Sequence, residues 1–161
     1  MTQQLTAKSS QKVQMFLSQH GKSFVVKEMP ESTRTAQEAA QAIGCQQAQI
    51  AKSLIFKDAN SGDPILLIVS GTNQVCTDKV EEATGLKLAK ADAKFVRDRI
   101  GYAIGGVPPI AHNEDVKTIL DPDLKQYPSI WAAAGTPNAV FELEAADLPQ
   151  LTQGKWVELA K

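Results

Sequence analysis

Lys52 is the residue whose type and position point most directly to chemistry. It lies in the run Ile50-Ala-Lys-Ser-Leu-Ile-Phe56, whose apolar residues on both alternating faces predict a buried central strand. On strand periodicity Lys52 shares a face with Leu54 and Phe56, so its ammonium group needs an anionic or oxygen-rich partner. The alternative is a lysine whose stem packs in the protein while its charged end reaches water.

The segment from Gly101 to His112 concentrates glycine and proline where an ordinary domain would continue a strand or a helix. Gly105 and Gly106 allow a positive φ or a close approach of the backbone to a ligand, whereas Pro108 and Pro109 fix φ and donate no hydrogen bond. Such a loop can present rigid backbone N–H groups to a polar ligand. A plain turn between two elements is the alternative.

Histidine and cysteine form no strong pattern. Of the two histidines, His112 lies beside the glycine- and proline-rich segment, and its titration range would suit a general base. A lone histidine in a loop, however, is commonly structural. Cys45 and Cys76 are isolated, without CxxC or Cys/His spacing, so the sequence predicts no disulfide framework, metal site or cofactor. A cysteine hydrolase that uses Cys76 and His112 stays a hypothesis, because nothing in the sequence brings the two together.

Hairpin signals alternate with helical connections along the chain, which predicts an α+β fold with a mixed, curved, barrel-like sheet and flanking helices. The predicted helices are residues 6–19, a capping-box helix from Thr35 and Glu38 to Gly44, one opened by Thr77 and Asp78 and ending at Gly85, one capped by Asp92 and ending near Gly101, and a short one from Ala145. The predicted strands are residues 23–27, the strand of Lys52 with 65–69 as its antiparallel hairpin partner, 117–120, 129–133, 139–143 and 155–159.

Length and composition indicate one domain over residues 1–161. The net charge of −1 argues against a protein that tracks many phosphates, although residues 86–99 carry a local excess of lysine and arginine. The first residues lack the apolar core of a secretory signal, and no apolar run approaches membrane-spanning length. We therefore expect a cytoplasmic protein.

Five ordered blocks resemble the YbaK/prolyl-tRNA-synthetase-associated editing family, over about residues 30 to 158. The blocks are Thr33-Arg-Thr-Ala-Gln-Glu-Ala-Ala40, Gln49-Ile-Ala-Lys-Ser-Leu-Ile55, Val69-Ser-Gly71, Gly101 to Pro109 and Ala133-Ala-Gly-Thr-Pro-Asn-Ala-Val-Phe141. The resemblance implies a compact α+β domain that hydrolyses, in trans, the ester of wrongly charged aminoacyl-tRNA. It implies no cofactor.

The resemblance also implies roles for the loop and for Lys52. The loop would place backbone groups around the scissile carbonyl, the terminal ribose hydroxyl of the tRNA would assist the attacking water, and Lys52 would hold the phosphate or ribose of the terminal adenosine. The residues predicted to carry catalysis in this way are Lys52, Gly105, Gly106, Val107 and Pro108.

Further residues of the matching blocks and their neighbours are predicted to line the substrate site, although turns and caps explain several of them as well. They are Thr33, Ser70, Gly71, Pro109, His112, Asp121, Gly135, Thr136 and Asn138. Ala111 stands where members of the family commonly have glycine, so the direction of His112 depends on how this loop is built.

The expected partner is the acceptor end of aminoacyl-tRNA, with residues 86–99 as a candidate contact and an aminoacyl-tRNA synthetase as a further candidate partner. A non-catalytic module that binds tRNA or a synthetase on the same fold is the alternative. Neither the amino acid removed nor the preferred tRNA follows from the sequence.

Overall fold

The computed structural model describes Leu5, residues 7–20 and residues 24–161. The helices are α1 (Lys8–Ser18), α2 (Ala36–Ile43), α3 (Thr77–Thr84), α4 (Ala93–Ile100) and α5 (Asp147–Thr152), with short 3₁₀ turns at Gln47–Gln49 and Pro122–Gln126. The strands are β1 (Val26–Glu28), β2 (Ile50–Asp58), β3 (Pro64–Ser70), β4 (Leu88–Lys90), β5 (Lys117–Leu120), β6 (Ile130–Ala133), β7 (Ala139–Leu143) and β8 (Lys155–Trp156).

The eight strands form one curled, mixed sheet that does not close. Its order is β1-β7-β6-β2-β3-β5-β8, and β4 pairs with β2 outside this path. Strand β2 is antiparallel to β3 and parallel to β6, while β3 is parallel to β5. The α+β class and the curved mixed sheet are therefore confirmed, although the curvature stops short of a barrel.

Strand β3 is the most deeply buried strand of the sheet, since all seven of its residues are buried. Because side chains alternate between faces along a strand, β3 supplies two apolar layers. Leu66 and Ile68 belong to the larger core, which α1 and α4 cover, whereas Ile65, Leu67 and Val69 pack with Val80 of α3 and its neighbours. The long apolar run thus becomes a strand buried on both faces.

Helix ends agree with the sequence at most positions. The Thr35 hydroxyl accepts a hydrogen bond from the Glu38 N–H at 3.1 Å, and Gly44 ends α2 with a φ of +88°. Asp92 caps α4 through the Phe95 N–H at 2.8 Å. In α3, however, Cys76 rather than Thr77 takes the position before the first helical residue, and its side chain makes no capping hydrogen bond.

Short elements were predicted less well. Strand β4 was not predicted, and β8 ends at Trp156 instead of continuing to residue 159. Strand β1 begins at Val26, later than the predicted residue 23, which lies outside the described residues. Two or three residues carry too little periodicity for a firm prediction, and tertiary pairing decides them.

Strand β2 changes partner along one of its edges. It pairs with β6 at Ile50 and Ala51 and with β4 from Phe56 to Asp58. Between these two pairings, in the described part of the chain, residues 52–55 have no partner strand on that edge. The sheet therefore contains a gap beside Lys52.

None of the helices in the described ranges has the length and apolar character required to cross a lipid bilayer.

Candidate functional site

The gap beside β2 opens into a cavity of about 530 Å³. Four segments supply most of its wall: residues 33–37 before and in α2, residues 50–54 of β2, Ile104 and Gly105 of the glycine loop, and residues 131–133 of β6. Lys52 and Gly105, which the sequence placed in one site, thus line one cavity. The family blocks are far apart in the chain, and the curled sheet brings them together.

Lys52 is half-buried in this wall, and its Nζ donates a hydrogen bond to the backbone oxygen of Asn73 at 2.7 Å. Burial lowers the pKa of Lys52, and the negative charge of Asp121 partly opposes that shift. A lysine ammonium has three protons to donate, so a substrate oxygen can take a further hydrogen bond. The oxygen-rich partner expected for this lysine is a backbone carbonyl.

A small polar network holds that carbonyl in place. Asp121 is buried, and its Oδ2 accepts hydrogen bonds from the Ser70 N–H at 3.0 Å and from Asn73 Nδ2 at 2.8 Å. Its Oδ1 accepts from the Asp123 N–H at 3.0 Å. Asp121, which is not among the residues that line the cavity, thereby fixes the loop that presents Asn73 to Lys52.

Asn73 was missed by the sequence interpretation. It follows the buried strand β3 by three residues, in the stretch Ser70-Gly-Thr-Asn73. Polar residues at the end of a buried strand are common turn formers, so the type alone did not separate a turn residue from a partner of Lys52. Its contact with Asp121 required the pairing of β3 with β5.

The glycine loop is shaped by close contacts. Gly105 has a φ of +94°, and a methyl group built there would lie 2.5 Å from Arg34 Cγ. A methyl group at Gly106 would lie 2.8 Å from the backbone of Thr136. The Gly106 N–H donates to the Ala103 oxygen at 3.0 Å, so that amide belongs to the turn. Gly105 and Val107 line the cavity.

The segment from Gly135 to Asn138 lies behind this loop. The Gly135 N–H donates to the Gly106 oxygen at 2.9 Å, and the Thr136 hydroxyl donates to Asn138 Oδ1 at 2.9 Å. Thr33 is held to the second of these segments, because its N–H donates to the Pro137 oxygen at 2.7 Å. Thr33 lines the cavity, whereas Gly135, Thr136 and Asn138 support it from the next layer.

Ser70 and Gly71 stand at the end of β3 near Lys52. The Ser70 hydroxyl donates to the Ala48 oxygen at 2.7 Å, and Gly71 lines the cavity. A side chain at Gly71 would collide with the backbone oxygen of Gln47. Gly71 therefore closes the cavity with its backbone, whereas Ser70 is not among the lining residues.

His112 lies on the other side of the glycine loop, in a second cavity of about 750 Å³ that Pro109 also lines. Its Nε2 donates to the Pro108 oxygen at 2.7 Å. Burial lowers the pKa of His112, and the charge of Lys12 lowers it further, whereas the hydrogen bond to Pro108 raises it. The preceding residue, Ala111, has a φ of +65°, in the left-handed region that favours glycine.

Cys76 lies apart from these groups. Its N–H donates to the Leu159 oxygen at 2.6 Å, near the end of the chain, and neither of the two cavities is lined by its side chain. No described contact joins Cys76 to His112, so the hypothesis of a cysteine hydrolase gains no support.

The segment with the excess of basic residues is partly neutralised by its own neighbours. Lys94 pairs with Asp98 at 2.8 Å, and Arg99 pairs with Glu114 at 2.9 Å. Lys87, just before the short strand β4, and Lys90, its last residue, are both exposed. The surface available to a nucleic-acid phosphate is therefore smaller than the composition of residues 86–99 indicates.

The cavity wall is cationic. Lys52 and Arg34 line it, and among the described lining residues there is no Asp, Glu, His or Cys. Such a wall suits an anionic or oxygen-rich ligand. Within the described part of the chain, it offers no carboxylate, imidazole or thiol to serve as a general base or nucleophile.

Sequence comparison relates the chain to editing proteins. The profile of the aminoacyl-tRNA editing domain family matches residues 30–151. Protein YwhH of Bacillus subtilis (strain 168), which is uncharacterised, is 30% identical over 155 residues, or 95% of this chain and 98% of YwhH. A proline–tRNA ligase of Limosilactobacillus fermentum is 28% identical over 105 residues, which cover 63% of this chain and 18% of the ligase.

A solved structure has the same fold over nearly the whole length. It is the crystal structure of a protein provisionally named a trans-editing enzyme for prolyl tRNA synthetase, with a TM-score of 0.90 and 41% sequence identity. The match covers 98% of this chain and 99% of that one. Together with the family profile, which matches most of the sequence, this likeness shows that the chain belongs to the aminoacyl-tRNA editing domain family.

Proposed function

We propose that this protein is a deacylase that acts in trans on mischarged aminoacyl-tRNA and hydrolyses the ester between a small amino acid and the terminal adenosine. The observation that carries the proposal is Lys52. It presents a cation to a cavity that the family blocks build, and a buried network fixes its contact with the Asn73 carbonyl. Membership of the editing family supports the same activity in general form.

In the proposed mechanism Lys52 binds the terminal phosphate or ribose and so positions the ester. A charge-assisted hydrogen bond of this kind contributes about 1.5–3 kcal/mol, which corresponds to about tenfold to hundredfold in rate when it is realised in the transition state. Gly105 and Val107 line the cavity, while Gly106 and Pro108 shape the loop through hydrogen bonds to Ala103 and His112. The attacking water is assisted by the free ribose hydroxyl of the substrate.

The cavity size favours a small amino acid. A volume of about 530 Å³ must hold part of the terminal adenosine as well as the aminoacyl group. Discrimination by such a wall is modest, because one methylene group changes binding by about 1–3 kcal/mol. The partner would be the acceptor end of the tRNA in the cytoplasm, and an aminoacyl-tRNA synthetase could deliver it.

A non-catalytic module that binds tRNA or a synthetase is the second candidate. It is favoured by the absence of acidic, histidine and cysteine side chains from the described cavity wall, because binding needs no general base. The deacylase remains the better proposal, because a water assisted by the ribose hydroxyl of the substrate also needs no general base from the protein.

A screen of preformed aminoacyl-tRNAs separates the two. Purified protein is mixed with tRNAs that carry alanine, serine, threonine, cysteine or proline, and the released amino acid is measured over time. We expect hydrolysis of at least one of them above the spontaneous rate, with addition of a chelator making no difference. A flat result over the whole set, with tRNA binding retained, would favour the binding module.

A further inference from the structure

The gap in the sheet leaves part of the central strand open to the cavity. Strand β2 pairs with β6 up to Ala51 and with β4 from Phe56 onward, and Ser53 lies between these pairings. Ser53 also lines the cavity. A strand edge without a partner exposes backbone donors and acceptors, which a ligand can use.

The direction of the Ser53 backbone follows from two hydrogen bonds farther along the chain. The Asp58 N–H donates to Asp63 on the β3 side at 2.8 Å, whereas the Ala59 N–H donates to Lys87 on the β4 side at 2.9 Å. Backbone groups of successive residues point to opposite edges of a strand, so the odd-numbered residues of β2 face away from β3. The N–H and C=O of Ser53 therefore point into the gap.

The Ser53 hydroxyl is also without a partner. Its Oγ is buried, and no hydrogen bond to it is made by any of the residues that the structure describes. A buried polar atom left in this state lowers stability by about 1–3 kcal/mol, which a ligand can recover by supplying the missing bond. Ser53 lines the cavity, and a rotation about χ1 is needed to bring its buried hydroxyl to a ligand there.

Most other polar side chains of the wall make intramolecular hydrogen bonds or can only donate, while Gln37 is exposed to solvent. Three of them have intramolecular partners: the Thr33 hydroxyl binds the Pro137 oxygen, the Thr35 hydroxyl binds Glu38, and the Gln47 amide binds the Gly71 oxygen. The Lys52 ammonium and the Arg34 guanidinium can donate hydrogen bonds but contain no atom that accepts one. Ser53 therefore offers two acceptors at the gap itself, its carbonyl and its hydroxyl oxygen.

We infer that Ser53 is a specificity-determining residue whose carbonyl and hydroxyl oxygens accept hydrogen bonds from the free α-amino group of the aminoacyl ester. The inference rests on the proposed function for the identity of the ester. Phosphate and ribose oxygens of the substrate are matched by the cations, so its amino group needs acceptors elsewhere. The domain thus requires an unblocked amine and spares esters in which that amine is acylated.

The test compares alanyl-tRNA with N-acetyl-alanyl-tRNA in wild type, Ser53→Ala and Ser10→Ala. Ser10 is the matched control, since its hydroxyl is likewise buried and without a described partner, yet it does not line the cavity. We expect wild type to prefer the free amine by at least about tenfold in kcat/KM. Ser53→Ala should lose about threefold to tenfold on alanyl-tRNA and nothing further on the acetylated ester, and Ser10→Ala should behave as wild type.

Equal loss on both esters in Ser53→Ala, or equal cleavage of both by wild type, would overturn the inference. The wild-type comparison decides even where Ser53→Ala fails to fold, because it needs no variant. Binding of a non-hydrolysable 3′-alanylamino-adenosine and its N-acetyl derivative is measured by calorimetry in parallel. If no ester is hydrolysed but the analogue with the free amine binds more tightly, the deacylase proposal fails and the role of Ser53 stands. Equal binding of the two analogues would overturn the role of Ser53.

Discussion

The two cavities on either side of the glycine loop differ in what lines them. The cavity beside β2 has two cations and, among its described lining residues, no acid or histidine. The cavity beside α1 is larger and holds His112 together with Lys12, Glu114 and Asp115. Its size and its titratable groups would favour the second cavity as the reaction site. Lys52 and residues of the family blocks, however, line the first.

This contrast shows how one loop serves two environments. Gly105 and Val107 face the cationic cavity, and Pro109 and His112 face the other. The His112 ring binds the carbonyl of Pro108, in its own loop, at 2.7 Å. We therefore interpret the histidine side as the support of the loop and the lysine side as the place of the reaction.

The largest effect is expected where the loop touches its neighbour. Gly106→Ala places a methyl group 2.8 Å from the Thr136 backbone and must displace one of the two segments. We expect a loss of about 1–3 kcal/mol in the free energy of unfolding and at least about tenfold in deacylation. Gly62→Ala is the control for deacylation, because its positive φ strains alanine there while the space around it is open. Wild-type activity in Gly106→Ala would show that the loop shape is unimportant.

The network under Lys52 is the next target. Asp121→Asn removes the charge that raises the pKa of Lys52 and puts an amide where N–H groups donate. The pKa of Lys52 then falls further, so its ammonium is lost at lower pH. Deacylation, corrected for spontaneous hydrolysis, should drop about tenfold, and its alkaline decline should begin at lower pH. Asp78→Asn, an exposed substitution in α3, should leave the pH profile unchanged.

His112 gives a smaller effect on activity and a clear effect on stability. Burial holds the pKa of His112 below its ordinary value, so the unfolded chain takes up the proton first as the pH falls. Stability from this group is present above about pH 6.5 and is lost as the pH drops toward the lowered pKa. His112→Gln should keep deacylation within about twofold and flatten this acid decline in urea unfolding. A large loss of kcat would place the histidine in the reaction.

The smallest effect concerns Ala111. Its φ of +65° suits glycine better than alanine, so Ala111→Gly should raise the free energy of unfolding by about 0.5–1 kcal/mol while deacylation is unchanged. Ala59→Gly, at an exposed turn position outside the left-handed region, should have no such benefit. Destabilisation by Ala111→Gly would show that its methyl contacts outweigh the strain.

Long and well-capped elements were predictable because local signals agree with the fold. The hairpin of β2 and β3 and the helices ended by Gly44 and Gly101 follow from apolar periodicity and caps. Lys52 could be selected because a cation interrupts an apolar run. The gap beside Ser53 could not be predicted, since it depends on where β6 ends and the short β4 begins.

The sequence indicated individual residues of the candidate site better than it indicated how they are arranged around the cavity. Lys52, Gly105 and Val107 line one cavity, but sequence spacing could not show that the turn from Gly135 to Asn138 stands behind the loop. The hydrogen bond from Lys52 to Asn73 also joins residues on different segments. Contacts of this kind depend on tertiary structure.

Single-turnover deacylation by Lys52→Ala tests the central claim most directly, with Lys57→Ala of the same strand as its control. Lys57 lies over the Phe95 ring, outside the cavity. On the best substrate of the aminoacyl-tRNA screen, Lys52→Ala should be slower by at least about tenfold while its urea unfolding stays cooperative, and Lys57→Ala should match wild type. Lys52→Arg should also be impaired, since a planar guanidinium does not replace a compact ammonium. Full activity in a folded Lys52→Ala protein would contradict the account.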